Sequence, residues 1–575
     1  MGRILVMECN SIFFLLCFFG HVMVSLSRVG PFASAGHLGE PQVSTSYGTV
    51  QGKTVQLDSS TYIDVFRGIP HAKPPIGHLR LKKPEPPLPW KGMKNVGRDN
   101  AMCVQNMHPV TGETEDCLYL DVYRPRLTNS SQSLPVMVWI HGGGFRHGSK
   151  NSFNGSILAS HDVIVVIVNY RLGPLGFLST EDDVIPGNFG MLDQISGLKW
   201  VQSNIAAFGG DPKSVTIFGE SAGSASVSLL VLSPLASGLF ARAIMQSGVS
   251  STSRAVPPPG VLVSPKQIAM AAGSKLGCHQ QPGVAFLSCL QRQSVQDLFN
   301  ASIKAGYSDH SSSSFRPRVE TVFGFMPEYP LNLISRGHFS HVDTLRGFNA
   351  QEQGKTVSDP ENDGLTREEF RKACRTQLRD FPYLDIDKYV QLMEDVYLTN
   401  VTDPVEIRSK TIEMRSDFTF IGPIVRETQV SRKHNHESKY FLYQFNYRAS
   451  FVKTPEWTGV LHAADNPFVF GLSSNLAGTW HRKTTAADEE MARVMTTMWT
   501  NFAKFSNPTP HGSTQLPLVH WNQFFNNRPS YLLIDSHLQN KKFDTAENVK
   551  MLNLYESTEK EYIHALAAGN TPIIG

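Results

Sequence analysis

A chain of 575 residues that is 41% hydrophobic and 18% charged can bury a sizeable core and does not have a disordered composition. Its formal net charge of +3 comes without basic blocks, which argues against a nucleic-acid or polybasic membrane partner. No repeat recurs at a fixed period, and no long low-complexity tract interrupts the chain.

Near the N-terminus, Arg3 precedes the apolar stretch SIFFLLCFFGHVMVSLS, Ser11 to Ser27. It is short for a membrane span and is interrupted by His21. Residues 1–27 therefore read as a cleaved secretory signal, with cleavage near Ser25 or Ser27 and a signal anchor as the alternative. Residues 28–575 are then the mature domain. No later run of about 20 apolar residues appears, and the C-terminal HALAAGNTPIIG has no lipid-anchor tail or ER-retention tetrapeptide. No stable membrane anchor is expected. Four sequons, at Asn129, Asn154, Asn300 and Asn400, agree with a secreted glycoprotein. Cys9 and Cys17 leave with the signal. Of the remaining five cysteines, Cys103 and Cys117 form one close pair and Cys278 and Cys289 another. An oxidising compartment permits both bonds and leaves Cys374 over, buried or free.

Val136 to Ile140 is an all-apolar run that predicts a buried strand, and it ends in His141-Gly142-Gly143-Gly144. Three glycines let the backbone bend close to a substrate carbonyl and aim N–H groups at it. The stretch DVIVVIVNYRLG from Asp162 reads as a second buried strand, and NFGMLDQISGLKWVQSNI reads as a helix. Strands alternating with helices predict an α/β fold: a large, mostly parallel sheet covered by helices on both faces.

Ser214 to Leu232 reads SVTIFGESAGSASVSLLVL. A strand up to Phe218 meets a helix from about Ser224, and Gly219-Glu220-Ser221-Ala222-Gly223 forms the joint. A Gly-x-Ser-x-Gly match alone is weak. Between a strand and a helix it reads as a nucleophile elbow, in which a strained turn lifts the serine oxygen clear of the sheet. Flanking side chains would collide with neighbouring backbone, so both neighbours are glycine. The N–H of Ala222, the residue after the serine, adds a further donor to the oxyanion hole.

HGGGF, VNYRLGPLGFLS, EDCLYLDVY and the long stretch from GNFGMLDQ to GESAG together resemble type-B carboxylesterases, the carboxylesterase/cholinesterase branch of the α/β-hydrolases. The likeness runs from about Val43 to the end of the chain. It implies one large α/β-hydrolase domain, a Ser-His-Glu triad, and no metal or organic cofactor. The family's acid lies in Gly-x-Asn-x-x-Glu, which here is Gly347 to Glu352. Its histidine matches His462 in GVLHAADNPFVFG. The strand before the acid, HVDTLRGFN, is less apolar than the family's usual version. Ser247 and Asp417 match positions that support the triad. The family's first two disulfide loops match Cys103 with Cys117 and Cys278 with Cys289. A third bond nearer the C-terminus is impossible here, because no cysteine follows Cys374.

The resemblance implies that His462 takes the Ser221 proton, that Glu352 holds the imidazole, and that the N–H groups of Gly143, Gly144 and Ala222 hold the oxyanion. The partner is a small-molecule ester. Three departures point away from choline esters. The loop CVQNMHPVTGETEDC has no tryptophan, Lys355 stands where the choline branch has an aromatic residue, and VSSTSRAV follows Gln246-Ser247-Gly248 without the branch's tryptophan. A general carboxylic-ester hydrolase is expected. The alternatives are a cholinesterase-like or lipase-like enzyme, or a non-catalytic adhesion or signalling ectodomain on the same fold.

Overall fold

The computed structural model describes residues 39–567 apart from 97–100, 108–109, 127–132, 253, 258–263, 307–314, 380, 382–383, 473–483 and 513–518. The signal segment 1–27 and Asn129 lie outside the described residues.

Eleven strands form the central sheet. In chain order they are β1 (Lys53–Gln56), β2 (Tyr62–Pro70), β3 (Tyr119–Pro125), β4 (Leu134–Ile140), β5 (Ile164–Val168), β6 (Gly210–Glu220), β7 (Arg242–Gln246), β8 (Asp343–Asn349), β9 (Tyr440–Phe445), β10 (Ser530–Ile534) and β11 (Gln539–Lys542). Their spatial order is β11-β10-β9-β8-β7-β6-β4-β5-β3-β2-β1. The run from β10 to β5 is parallel throughout. The pairs at both edges are antiparallel. The described residues from Glu40 onward pack as one compact unit.

The all-apolar strands follow from burial on two faces. In β4, Val136, Val138 and Ile140 enter one core cluster, while Met137 and Trp139 enter the other. β5 divides in the same way, with Ile164, Val166 and Val168 on one side and Val165 and Ile167 on the other. Successive side chains of a strand point to opposite faces, so a sheet covered on both sides needs apolar residues at every position.

Helix α1 (Phe189–Asn204) and helix α2 (Ala222–Leu232) pack on the sheet. Every residue of α2 is buried, so it shows no polar face in the sequence. The less apolar strand β8 is still buried at six of its seven positions. Arg346 makes this possible. It is buried, lies 3.5 Å from the Glu427 carboxylate and sits over the Tyr440 ring, so its charge is compensated inside the core.

Both disulfides join the expected partners, Cys103 to Cys117 and Cys278 to Cys289. Cys374 is free and buried. Among the described residues no helix is long and apolar enough to cross a membrane. Asn400 is exposed, whereas Asn154 and Asn300 are partly buried.

Candidate active site

The C-terminal ends of the parallel strands and the loops beyond them carry the candidate residues, where ligands bind in open α/β sheets. Ser221 sits between β6 and α2 with φ 57 and ψ −123, a left-handed conformation that an L-residue rarely keeps without surrounding constraint. The constraint is visible at its flanking glycines. A Cβ at Gly219 would lie 2.6 Å from Ile140 O, and one at Gly223 would lie 2.0 Å from the same oxygen. The elbow is wedged against the end of β4, and no side chain fits at either joint.

Below the elbow, His141 begins the glycine run. Its ring stacks on Tyr170 at 4.5 Å, and the Tyr170 hydroxyl donates to the His141 carbonyl at 2.8 Å. Burial lowers the His141 pKa to about 4, so the ring is neutral at working pH. Gly143 and Gly144 follow with φ 107 and 62. Among the described residues, no intramolecular acceptor takes the N–H of Gly143, Gly144 or Ala222.

Glu352 lies just beyond β8 and is buried. One of its oxygens accepts from the Ser247 hydroxyl at 2.6 Å and from the Asn349 N–H at 2.7 Å. The other accepts from His462 Nδ1 at 2.6 Å. Asn349 Nδ2 also donates to the Ser247 hydroxyl at 3.0 Å. The carboxylate is therefore held on both oxygens. His462 Nε2 takes no part in this bond.

The loop that carries His462 is anchored from beneath. Asp465 Oδ2 accepts from the Tyr443 hydroxyl at 2.7 Å and from Gln246 Nε2 at 3.0 Å. Gln246 Oε1 in turn accepts from Trp499 Nε1 at 3.0 Å. The Phe420 ring covers the imidazole at 4.6 Å. None of these anchors was read from the sequence, because each lies on a different element.

Glu220 is the other residue missed. Its carboxylate is buried, with Oε1 3.1 Å from His462 Nε2. The two atoms are out of line for a hydrogen bond, so the interaction is Coulombic. Burial raises the Glu220 pKa to about 7, with the His462 charge opposing the shift. For His462, burial pulls the pKa down, but Glu220 and then Glu352 outweigh it and raise it to about 9. Among the described residues, no hydrogen bond joins His462 Nε2 to Ser221 Oγ. Such contacts are often loose without substrate and tighten in the reacting complex.

Asp417 is placed elsewhere. It accepts from the Tyr397 hydroxyl at 2.8 Å and lines a cavity of about 790 Å³ that none of Ser221, Glu352 and His462 lines. Among the described residues it makes no hydrogen bond or ion pair with those three. Its neighbour Ser416 is the one that reaches the site, accepting from the Gln353 N–H at 3.1 Å. Ser416 lines the same cavity as Asp417.

A parallel sheet with a strained serine elbow, a glycine run beside it and a histidine held by a buried glutamate defines an α/β-hydrolase. A model of the Carboxylesterase family matches residues 39–552. The chain is 36% identical to the liver carboxylesterase of Sus scrofa, over 89% of this chain and 92% of the relative. It is 34% identical to the pyrethroid hydrolase Ces2e of Rattus norvegicus (83% and 84% covered). It is 35% identical to the medium-chain fatty acyl-CoA hydrolase precursor of Anas platyrhynchos (84% and 87% covered). The chain belongs to the carboxylesterase family and is an ester-hydrolysing enzyme.

Proposed function

We propose that this protein hydrolyses carboxylic esters through an acyl-serine intermediate, with Ser221, His462 and Glu352 as the triad. The observation that carries this reading is the strained Ser221 turn beside an imidazole whose far nitrogen is bonded to a buried carboxylate at 2.6 Å. His462 Nε2 accepts the Ser221 proton as Oγ attacks the ester carbonyl. The carbonyl π electrons move to oxygen, and the N–H groups of Gly143, Gly144 and Ala222 stabilise the resulting oxyanion. Glu352 keeps the proton on Nδ1 and stabilises the imidazolium. The C–O bond to the alcohol breaks, and the alcohol leaves with the Nε2 proton. Water then repeats the sequence on the acyl-enzyme and releases the acid. Ser247 supports this by holding the second oxygen of Glu352. No step calls for a metal or organic cofactor.

The reading extends to the whole chain. Residues 1–27 act as a signal, 28–575 form the mature hydrolase domain, and the protein is secreted or lumenal. The two disulfides agree with an oxidising compartment. Asn129, Asn154, Asn300 and Asn400 are the candidate glycan acceptors, of which Asn400 is exposed.

The test is labelling by a fluorophosphonate probe. Wild type should be labelled at Ser221, and Ser221→Ala should lose both label and ester hydrolysis while remaining folded. Equal labelling of the alanine variant would refute the assignment. Loss of activity in Ser221→Ala also separates this reading from the non-catalytic ectodomain.

A further inference from the structure

Helix α3 (Gly422–His434) packs on β8 and buries Glu427. Both oxygens of this carboxylate are occupied. Oε1 accepts from the Ser228 hydroxyl at 2.7 Å and lies 3.5 Å from the Arg346 guanidinium. Oε2 accepts from the Ser250 hydroxyl at 2.9 Å and from the Ser251 N–H at 3.1 Å. All of these partners are buried.

The partners come from three segments, and each segment leads to a group of the proposed triad or oxyanion hole. Ser228 stands on α2, about two turns beyond Ser221. The same helix begins with Ala222, whose N–H belongs to the proposed oxyanion hole. Ser250 and Ser251 follow β7 in the stretch that opens with Ser247, and Ser247 holds Glu352. That stretch is pressed against the nucleophile. The Gly248 carbonyl accepts from the Ser224 hydroxyl at 2.5 Å, and a Cβ at Gly248 would lie 2.5 Å from the Ser221 carbonyl oxygen. Arg346 belongs to β8, which ends at Asn349, just before Glu352. Among the described residues, Glu427 makes no hydrogen bond or ion pair with Ser221, Glu352 or His462.

The stability of the core does not call for such a pair. Taking two charges out of water costs about as much as their attraction returns, and an apolar pair of similar volume is often as stable or more so. A buried carboxylate with every donor satisfied adds geometry instead. It fixes its partners in direction and distance, where apolar packing would let them slide.

We infer that Glu427 is a positioning residue: it holds α2, residues 247–251 and β8 in one register, and so sets Ser221 against Glu352 and the imidazole that Glu352 bonds. This rests on the esterase reading above. The nucleophile and the acid follow different strands, and a misplacement of about 1 Å costs about a hundredfold in rate. One carboxylate tied to the segments on both sides removes that freedom.

The test uses the full chain and a neutral nitrophenyl ester, with kcat counted per site labelled to completion by the fluorophosphonate probe, so that unfolded molecules drop out. The first variant, Ser228→Ala with Ser250→Ala, keeps the Arg346–Glu427 ion pair and removes the two hydroxyl tethers. Its kcat should fall by about tenfold with KM nearly unchanged, the mark of reacting atoms misaligned without loss of binding. The limb of its kcat/KM profile set by His462 should also move to lower pH, since a Glu352 held less firmly raises His462 less. The second variant, Glu427→Leu with Arg346→Met, removes both buried charges together, so a fall in kcat there is not the effect of an unpaired charge. Its kcat should fall at least as far as that of the first. Where the second variant does not fold, the first decides alone. Wild-type kcat in either variant, or a fall in kcat with the limb unmoved in the first, overturns the inference while Ser221-dependent hydrolysis by the wild type still stands. A wild type that neither takes the label nor hydrolyses the ester overturns the inference and the esterase reading together.

Discussion

Glu220 Oε1 lies 3.1 Å from His462 Nε2, the nitrogen that accepts the Ser221 proton in the proposed mechanism. A buried carboxylate there favours the imidazolium, so His462 is held protonated above its ordinary range. The base acts only when neutral, so kcat/KM should rise with pH as His462 loses its proton, with the limb displaced toward alkaline pH. Removing the Glu220 charge in Glu220→Gln should move the limb to lower pH, by about one unit. The two groups titrate as a coupled pair, and the profile reports their joint behaviour. A limb that stayed in place or moved upward would contradict this account.

Ser247 and Asn349 both serve one oxygen of Glu352. Ser247→Ala should leave a buried carboxylate oxygen with one donor fewer and lower kcat by about tenfold. The loss should be much smaller in a Glu352→Gln background, because the two residues act as a unit. Steady-state kinetics on the four members of this cycle decide it, and full additivity would mean that Ser247 works elsewhere.

The wedge between Gly223 and the Ile140 carbonyl leaves no room for a methyl group. Gly223→Ala should cost about 4 kcal/mol or more, through displaced backbone at the elbow. Gly238→Ala is the comparison, since a Cβ there meets nothing within 4 Å and only its φ of 77 is unfavourable. It should cost about 1 kcal/mol. Denaturant unfolding of both variants separates the two causes, and equal losses would show that steric contact is not the source.

Non-reducing peptide mapping should recover Cys103 joined to Cys117 and Cys278 joined to Cys289. Each closes a short loop, with separations of 14 and 11 residues, and should stabilise by about 2–4 kcal/mol in the chain-entropy model. Cys374 should resist alkylation until the protein unfolds, because burial raises its thiol pKa and hides it from solvent. Rapid labelling of the native protein at Cys374 would show that the helix carrying it opens.

Much of this protein is local and therefore legible along the chain. The run Val136 to Ile140, the glycines after it and the Gly-Glu-Ser-Ala-Gly joint each describe a strand end or a turn by the shapes their own residues permit. Ser221 can be named from such a joint, whereas Glu352 and His462 can be named only through the likeness of their segments to the family's motifs. The tertiary structure decided what touches what. Asp417 accepts from the Tyr397 hydroxyl, while its neighbour Ser416 accepts from the Gln353 N–H. β8 could be polar in sequence and still buried, because Glu427, 81 positions after Arg346 in the numbering, supplies its counter-charge. The pressure of Glu220 on His462 and the anchoring of Asp465 by Gln246 and Tyr443 belong to the same class. Charge and hydrogen bonding act through distance in space, and residues far apart in the chain acquire that distance only when the sheet brings its strand ends together.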